Sequence, residues 1–193
     1  MKTSGQYPAD LARDVELRDG ASVHVRAVRP DDAGRLIALY DRLSRDTAYQ
    51  RFFTVLRRLP PDWARLLATV DYVRRLAIVA TADASPSADV VAVARYEPTD
   101  EPGTAEVAFV VQDEWQAKGL GTVLFRLLLD AAQGRGIDRF RAYVLADNRR
   151  MLDLIARFTD IRERSLHQGV VELLFTPRVA SRTRSLAARC PEP

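Results

Sequence analysis

Several residue types that would point to other classes of protein are scarce in this chain. It has one cysteine, Cys190, and two histidines that lie far apart, His24 and His167. One cysteine cannot form an internal disulfide, and this small set of ligands makes a catalytic metal an unlikely requirement. We therefore expect neither a disulfide framework nor a metal cofactor.

Long apolar runs and a strong charge of one sign are also missing. The formal net charge is only +3, and the excess of arginine is spread over the chain rather than gathered into a basic stripe. Nucleic-acid binding usually needs a dense basic face, and a membrane span needs about 20 apolar residues. The first 20 residues carry four acidic side chains where a signal peptide would need an apolar segment. We expect no nucleic-acid partner, no membrane insertion and a cytoplasmic location.

What is present is enough apolar material for one core. Of the 193 residues, 47% are hydrophobic, and the length fits a single domain. Alternating residues begin near residue 15, and the last patterned strand ends near residue 176. We predict a flexible N-terminus over residues 1–14, a folded domain over 15–176 and a disordered basic tail over 177–193.

The periodicity predicts a mixed order of strands and helices. A hairpin over 15–28 is followed by amphipathic helical segments up to about residue 70, and then by a second hairpin within 76–96. A strand over 105–111, a striped helix from Gly119, a strand over 140–145 and a helix capped by Asn148 come next. Strands near 161–165 and 170–175 complete the pattern.

The segment between the strand 105–111 and the striped helix is the most informative one. It reads Gln116-Ala117-Lys118-Gly119-Leu120-Gly121. Its glycines let a ligand approach the backbone, and the unpaired N–H groups of the following helix favour an anion. This loop predicts a binding site for a diphosphate.

The loop and the order of elements together resemble the GNAT acetyltransferase superfamily, whose signature is Gln/Arg-x-x-Gly-x-Gly/Ala. The resemblance implies an α/β fold with a mixed, mostly antiparallel twisted sheet of six to seven strands, splayed between strands 4 and 5 and flanked by about four helices. It implies acetyl-CoA as cosubstrate. The implied cofactor-binding residues are the main chain of Phe109, Val110 and Val111, the loop residues Gln116, Ala117, Lys118, Gly119, Leu120, Gly121 and Thr122, and Asn148 at the start of a helix.

A closer similarity is to bacterial protein-lysine acetyltransferases. It rests on Tyr49-Gln50-Arg51-Phe52-Phe53 and on the strand Ala105-Glu106-Val107-Ala108-Phe109. That subfamily places its catalytic glutamate at the position of Glu106, and alternation puts this residue on one face with apolar neighbours that should desolvate it. The alternative is that Glu106 faces solvent or pairs with an arginine. Asp113 and Glu114 are the other candidate bases.

Many family members use a tyrosine in the helix after the conserved asparagine as the acid. Here that stretch reads Leu154-Ile155-Ala156-Arg157-Phe158, and another group such as Tyr143, or water, would have to replace it. Three functions stay open at this point. They are acetylation of protein lysines, acetylation of a small amine, and acyl-CoA sensing without turnover.

Overall fold

The computed structural model describes residues 5–54 and 56–178. Five helices are present in these ranges: α1 (Ala33–Asp41), α2 (Arg45–Phe52), α3 (Pro61–Ala68), α4 (Leu120–Gln133) and α5 (Arg149–Phe158). Eight strands accompany them: β1 (Arg13–Glu16), β2 (Ser22–Ala27), β3 (Leu76–Thr81), β4 (Val90–Pro98), β5 (Thr104–Val111), β6 (Arg139–Leu145), β7 (Thr159–His167) and β8 (Val170–Pro177).

All eight strands form one sheet in the order β1-β2-β3-β4-β5-β6-β8-β7. Every neighbouring pair is antiparallel except β5 and β6, which are parallel. Their register covers only three pairs, from Thr104 with Arg139 to Glu106 with Arg141. Beyond Glu106 the two strands separate and leave a cleft in the middle of the sheet.

The predicted fold class is confirmed, with two corrections to the counts. The sheet has eight strands rather than six to seven, because the four-residue β1 adds an edge to the sheet, and the splay therefore falls between the fifth and sixth strands. The number of helices is five rather than about four. One reason is that Ser44 begins a separate helix, where its hydroxyl oxygen accepts a hydrogen bond from Thr47 N at 3.2 Å.

Helices cover both faces of the sheet centre. On one face α4 buries Leu124 and Leu128 against the strands, and on the other face α1 and α3 cover a second apolar cluster. All six residues of β3 are buried as a result. A strand covered on both faces reads as a continuous apolar run, and Leu76–Thr81 has that pattern.

The N-terminal segment packs onto the domain before the boundary of residue 15 that the sequence predicts. Gly5 N donates to Asp71 O at 2.8 Å, and the Tyr7 hydroxyl donates to Ala27 O at 3.2 Å. Leu11 is buried in the larger core cluster. Contacts with the domain are therefore present already at Gly5, and residues 1–4 and 179–193 lie outside the described ranges. None of the helices in those ranges is long and apolar enough to cross a bilayer.

Candidate active site

A cavity of about 640 Å³ occupies the cleft where β5 and β6 part. Helix α2 forms one wall, β6 and α5 form the other, and the loop before α4 closes one end. The size lies within the range of small-molecule and cofactor sites. The polar and charged side chains that line the cavity are Arg18, Thr47, Gln50, Arg51, Glu106, Gln116, Thr122, Tyr143, Asn148, Arg150, Asp153 and Arg157.

The backbone of β5 presents alternate residues to β4 and to this cleft. At one end Gln112 N donates to Val91 O at 2.9 Å, and at the other end Thr99 N donates to Thr104 O at 3.3 Å. The register between these ends is unbroken, so even-numbered residues of β5 form the hydrogen-bonded pairs with β4. The main chain of Val110 is therefore used inside the sheet, and we correct its predicted role as a main-chain cofactor ligand.

The odd-numbered residues of β5 have the opposite orientation. The main-chain groups of Phe109 and Val111 point to the side from which β6 has diverged. The Val111 carbonyl accepts a hydrogen bond from Gln116 Nε2 at 3.0 Å, which shows that this edge faces the cleft. Phe109 and Val111 can therefore offer backbone donors and acceptors to a ligand that lies along β5.

The loop before α4 has the backbone conformation that an anion site needs. Ala117 and Gly119 both have positive φ, +61° and +94°, and Gly119 is the N-cap of α4. Leu120 is fully buried and anchors the first turn of the helix in the core. The N–H groups that follow Gly119, including those of Gly121 and Thr122, are consequently presented at the end of the cleft.

Lys118 has a different environment from the one we predicted. Its ammonium Nζ lies 2.9 Å from Asp19 Oδ2 in the β1–β2 turn and 5.3 Å from the centre of the Trp115 ring. The hydrogen bond from Lys118 lowers the pKa of Asp19. Because this pairing satisfies the lysine charge and Lys118 does not line the cavity, the structure gives no support to Lys118 as a phosphate ligand.

The Gln116 side chain joins the two walls of the cleft through hydrogen bonds. Its Nε2 also donates to Thr47 Oγ1 of α2 at 3.2 Å, and its Oε1 accepts from Arg150 Nη1 of α5 at 3.0 Å. One side chain therefore connects both walls with β5.

Asn148 caps a helix, as the sequence predicts, and also reaches α2, while its role as a cofactor ligand stays a prediction. Its Oδ1 accepts from Met151 N at 3.2 Å, which caps α5. Its Nδ2 donates to Gln50 Oε1 of α2 at 3.3 Å. The amide group of Asn148 thus spans the mouth of the cleft while it caps the helix.

Glu106 lies at the last point where β5 and β6 are paired. Its side chain is on the face of α1–α3, opposite to α4, and it lines the cleft. We expected apolar neighbours to desolvate Glu106, but the residue is exposed. The reason is that β6 diverges at this point and leaves the carboxyl group open to solvent. Directly across the ladder on β4 lies Glu97, whose carboxylate is held by Arg75 and Arg95.

An arginine from α2 adds positive charge beside this pair of carboxylates. Burial lowers the pKa of Arg51 to about 10, the charge of Arg95 contributes, and Glu106 and Glu97 oppose the effect. The guanidinium lies 4.9 Å from the centre of the Phe52 ring. Arg51 therefore keeps its charge at neutral pH next to the candidate base.

The two other candidate bases are not in the cleft. Asp113 accepts hydrogen bonds from Ser44 N, Ser44 Oγ and Thr47 Oγ1 at 2.7–2.9 Å, so its carboxylate joins α2 to the loop after β5. Glu114 is exposed on the outer side of the same turn. Neither carboxylate lines the cavity, which leaves Glu106 as the better placed of the three.

Tyr143 of β6 lies across the cleft from β5. Its hydroxyl donates to Glu172 Oε1 at 3.3 Å. Burial and the charge of Glu172 raise the pKa of Tyr143, so the phenol keeps its proton at neutral pH. The stretch of α5 in which many family members carry a tyrosine has none here, and Ile155 within it is fully buried.

No cluster of three histidine, cysteine, aspartate or glutamate side chains suited to a metal occurs within residues 5–54 and 56–178. The chemistry available in the cleft is that of backbone amides, two exposed carboxylates (Glu106 and Asp153), a protonated phenol and several guanidinium groups. This set suits binding of a phosphate-bearing cosubstrate and a proton transfer beside it.

Comparison with known proteins defines the class to which this site belongs. Residues 36–159 match the sequence model of the Acetyltransferase (GNAT) family, and the chain belongs to that family. It is an acetyltransferase, and the family uses acetyl-CoA, for which the open edge of β5 and the loop before α4 are suited.

Individual relatives narrow the comparison. The chain is 33% identical to an acetyltransferase of Pseudomonas aeruginosa over 138 residues, which cover 72% of this chain and 74% of that protein. It is 35% identical to the acetyltransferase Pat of Mycolicibacterium smegmatis over 144 residues, covering 74% of this chain but only 42% of Pat. The chain thus spans less than half the length of Pat.

Solved structures agree with this placement. The GNAT domain of S. lividans PAT superposes with a TM-score of 0.78 at 34% identity, covering 89% of this chain and 99% of that one. YncA from Salmonella typhimurium, solved with acetyl-CoA, has a TM-score of 0.61 at 14% identity, covering 83% and 96% of the two chains. The second similarity shows the shared fold alone.

Proposed function

We propose that this acetyltransferase transfers the acetyl group of acetyl-CoA to the ε-amine of a lysine on a protein, with Glu106 as general base. The observation that carries the proposal is the position of Glu106, which is exposed at the point where β5 and β6 part, on the face opposite to α4, and lines the same cavity as the loop before α4. The similarity to Pat and to the GNAT domain of PAT supports a protein acceptor.

The base is needed because the acceptor amine arrives protonated. An unperturbed lysine has a pKa of about 10.4, so only about one molecule in 2,500 is neutral at pH 7. The Glu106 carboxylate is positioned to accept that proton, and the charge of Arg51 close by disfavours the ammonium form of the acceptor. Acetyl-CoA supplies an activated acyl group with a good leaving thiolate.

The remaining groups of the cleft support this transfer. The main-chain N–H groups of Phe109 and Val111 face the cleft and can stabilise negative charge that develops on a carbonyl oxygen. Tyr143 keeps its proton at neutral pH and lines the same cavity, so it is the residue we assign to protonate the leaving thiolate.

The charge of the cleft argues against a polycationic small acceptor. Among the ionisable side chains that line it, four are arginines and only Glu106 and Asp153 are acidic carboxyl groups. An aminoglycoside or polyamine would need an acidic pocket to offset its own charge. A pure acyl-CoA sensor would not need an exposed carboxylate beside the cofactor strand.

The test measures release of the CoA thiol with a protein panel and with a small-amine panel, for the wild type and for Glu106→Gln. We expect turnover with proteins, and a loss of kcat by about 10²- to 10⁴-fold in Glu106→Gln, as for removal of a general base. Calorimetric affinity for CoA should stay within about twofold, because Glu106 lies near the paired start of β5 and the phosphate loop follows the other end of that strand.

Glu114→Gln is the matched control, since it removes an exposed carboxylate outside the cavity. Equal turnover of Glu106→Gln and wild type would remove Glu106 from the mechanism. Turnover with the small amines alone would show that the acceptor is a small amine and not a protein. Tight CoA binding without turnover on either panel would favour an acyl-CoA sensor.

A further inference from the structure

The turn between β1 and β2 lies directly on the loop before α4. Arg18 N donates to Lys118 O at 3.1 Å, and the side chain of Lys118 returns to Asp19 at 2.9 Å. A backbone hydrogen bond and an ion pair therefore fix this turn to the loop. The contact brings residues from the N-terminal hairpin to the end of the cleft.

The Arg18 side chain extends along Gly119. A Cβ atom built on Gly119 would lie 3.4 Å from Arg18 Nε and 3.5 Å from Arg18 Cγ. The glycine thus leaves the space that the arginine occupies at the N-terminus of α4. Arg18 also lines the cavity, and its side chain is exposed there.

The two cationic side chains at this loop, Lys118 and Arg18, differ in whether they have an acidic partner. Lys118 is compensated by Asp19, whereas no described residue gives the Arg18 guanidinium a hydrogen bond or an ion pair. A guanidinium can bind two phosphate oxygens at once, and the N-terminus of α4 adds the field of its dipole at the same place. An anion bound at Gly119 would contact the Arg18 guanidinium and would also lie in the positive field at the N-terminus of α4.

We propose that Arg18 is a binding residue for the diphosphate of CoA, and that the β1–β2 turn is therefore a part of the cofactor site. The inference rests on the use of acetyl-CoA by the family and is independent of which acceptor is used. Arg18 lies outside residues 36–159, the part of the chain that matches the family, so the family pattern does not assign it. The diphosphate is chosen over the 3′-phosphate because Arg18 contacts Gly119, the residue that caps α4.

The test is calorimetric binding of CoA and of dephospho-CoA, which lacks only the 3′-phosphate, to the full chain. We expect Arg18→Ala to weaken the binding of both ligands by the same factor, about tenfold. Arg18→Lys should recover part of the loss, because it keeps the charge without the bidentate geometry. Arg74→Ala is the matched control, since Arg74 is exposed and lies outside the cavity, and it should change neither affinity.

Comparison of CoA with dephospho-CoA also distinguishes the two ways in which the Arg18 proposal can fail. Loss of affinity for CoA with unchanged affinity for dephospho-CoA would show that Arg18 reads the 3′-phosphate, which overturns the diphosphate assignment. Unchanged affinity for both ligands in a variant with a wild-type urea midpoint would remove Arg18 from the site. Neither result would affect the proposal for Glu106, because the readout is binding and not turnover.

Discussion

Replacing Asp113 by alanine should loosen helix α2 without removing any group from the cleft. The carboxylate of Asp113 accepts from Ser44 N at 2.9 Å and from Ser44 Oγ and Thr47 Oγ1 at 2.7 Å. These hydrogen bonds connect the start of α2 to the turn after β5. Since α2 carries Gln50 and Arg51, the change should reach the acceptor side of the site through the position of the helix.

The magnitude follows from the number of hydrogen bonds and from their exposure. A hydrogen bond to a buried charged group contributes about 1.5–3 kcal/mol. Asp113 and Ser44 are exposed and only Thr47 is buried, so we discount each bond to about 0.5 kcal/mol. The three together predict that Asp113→Ala lowers the free energy of unfolding by about 1.5 kcal/mol.

This loss should depend on pH in a defined direction. Burial acts to raise the pKa of Asp113, but the hydrogen bonds from Ser44 and Thr47 outweigh it and the pKa is lowered. A carboxyl group with a lowered folded-state pKa stabilises the fold above its unfolded pKa of about 3.9, and the contribution is lost as the pH falls through the folded value. The difference between Asp113→Ala and wild type should therefore shrink in acid.

Urea unfolding measures the stability, and a double-mutant cycle with Thr47→Val measures the coupling. We expect a coupling free energy of about 0.5 kcal/mol. The KM for the acceptor should rise severalfold while the affinity for CoA stays within about twofold, and Glu114→Ala should change neither. A coupling free energy indistinguishable from zero would refute the proposal that Asp113 holds α2 in place. A loss of CoA affinity as large as the rise of the acceptor KM would refute it as well.

Two further predictions concern the scaffold. Asp32→Asn should lower the free energy of unfolding at pH 7 by about 3–5 kcal/mol, because Asp32 is fully buried and holds Arg26 and Arg35 at 2.7–2.8 Å. The hydrogen bonds of these arginines outweigh burial and lower the pKa of Asp32, so urea unfolding should show the difference fading in acid, and a constant difference down to pH 3 would contradict this. Asn148→Ala should cost about 1 kcal/mol of stability through loss of the bond to Met151 N. Asn148→Asp should restore the thermal midpoint as a cap but not the affinity for CoA, and recovery of both would show that Asn148 acts only as a cap.

Local patterns were enough to predict much of this structure. Alternation in 105–111 and the apolar stripe after Gly119 each depend on neighbours within a few residues, and the predicted strand and helix are found. Asn148 was identified as an N-cap for the same reason. The hairpin predicted over 15–28 is found as β1 and β2, so the local pattern gave all eight strands, and the lower count of six to seven came from the family resemblance.

Side-chain partners distant in sequence could not be predicted from these patterns. Asp113 and Ser44 are 69 residues apart, and nothing in either segment indicates that they meet. The pairing of Lys118 with Asp19 likewise depends on how the N-terminal hairpin folds back. The Lys118 charge that looks available in the sequence is compensated by Asp19 in the folded protein, and nothing in the sequence pointed to Arg18 at this loop.

The small number of residue pairs between β5 and β6 also affects how easily the hydrogen bonds of the sheet open. Seven residue pairs join β4 to β5 and six join β6 to β8, but only three cross the centre of the sheet. Strands β6, β7 and β8 therefore have dense pairing among themselves and few backbone pairs with β5, although Phe140 and Phe175 share the larger core cluster with α4. We expect the few hydrogen bonds between β5 and β6 to open more readily than those of the longer ladders on either side, so their amide groups should exchange faster than those between β4 and β5 or β6 and β8.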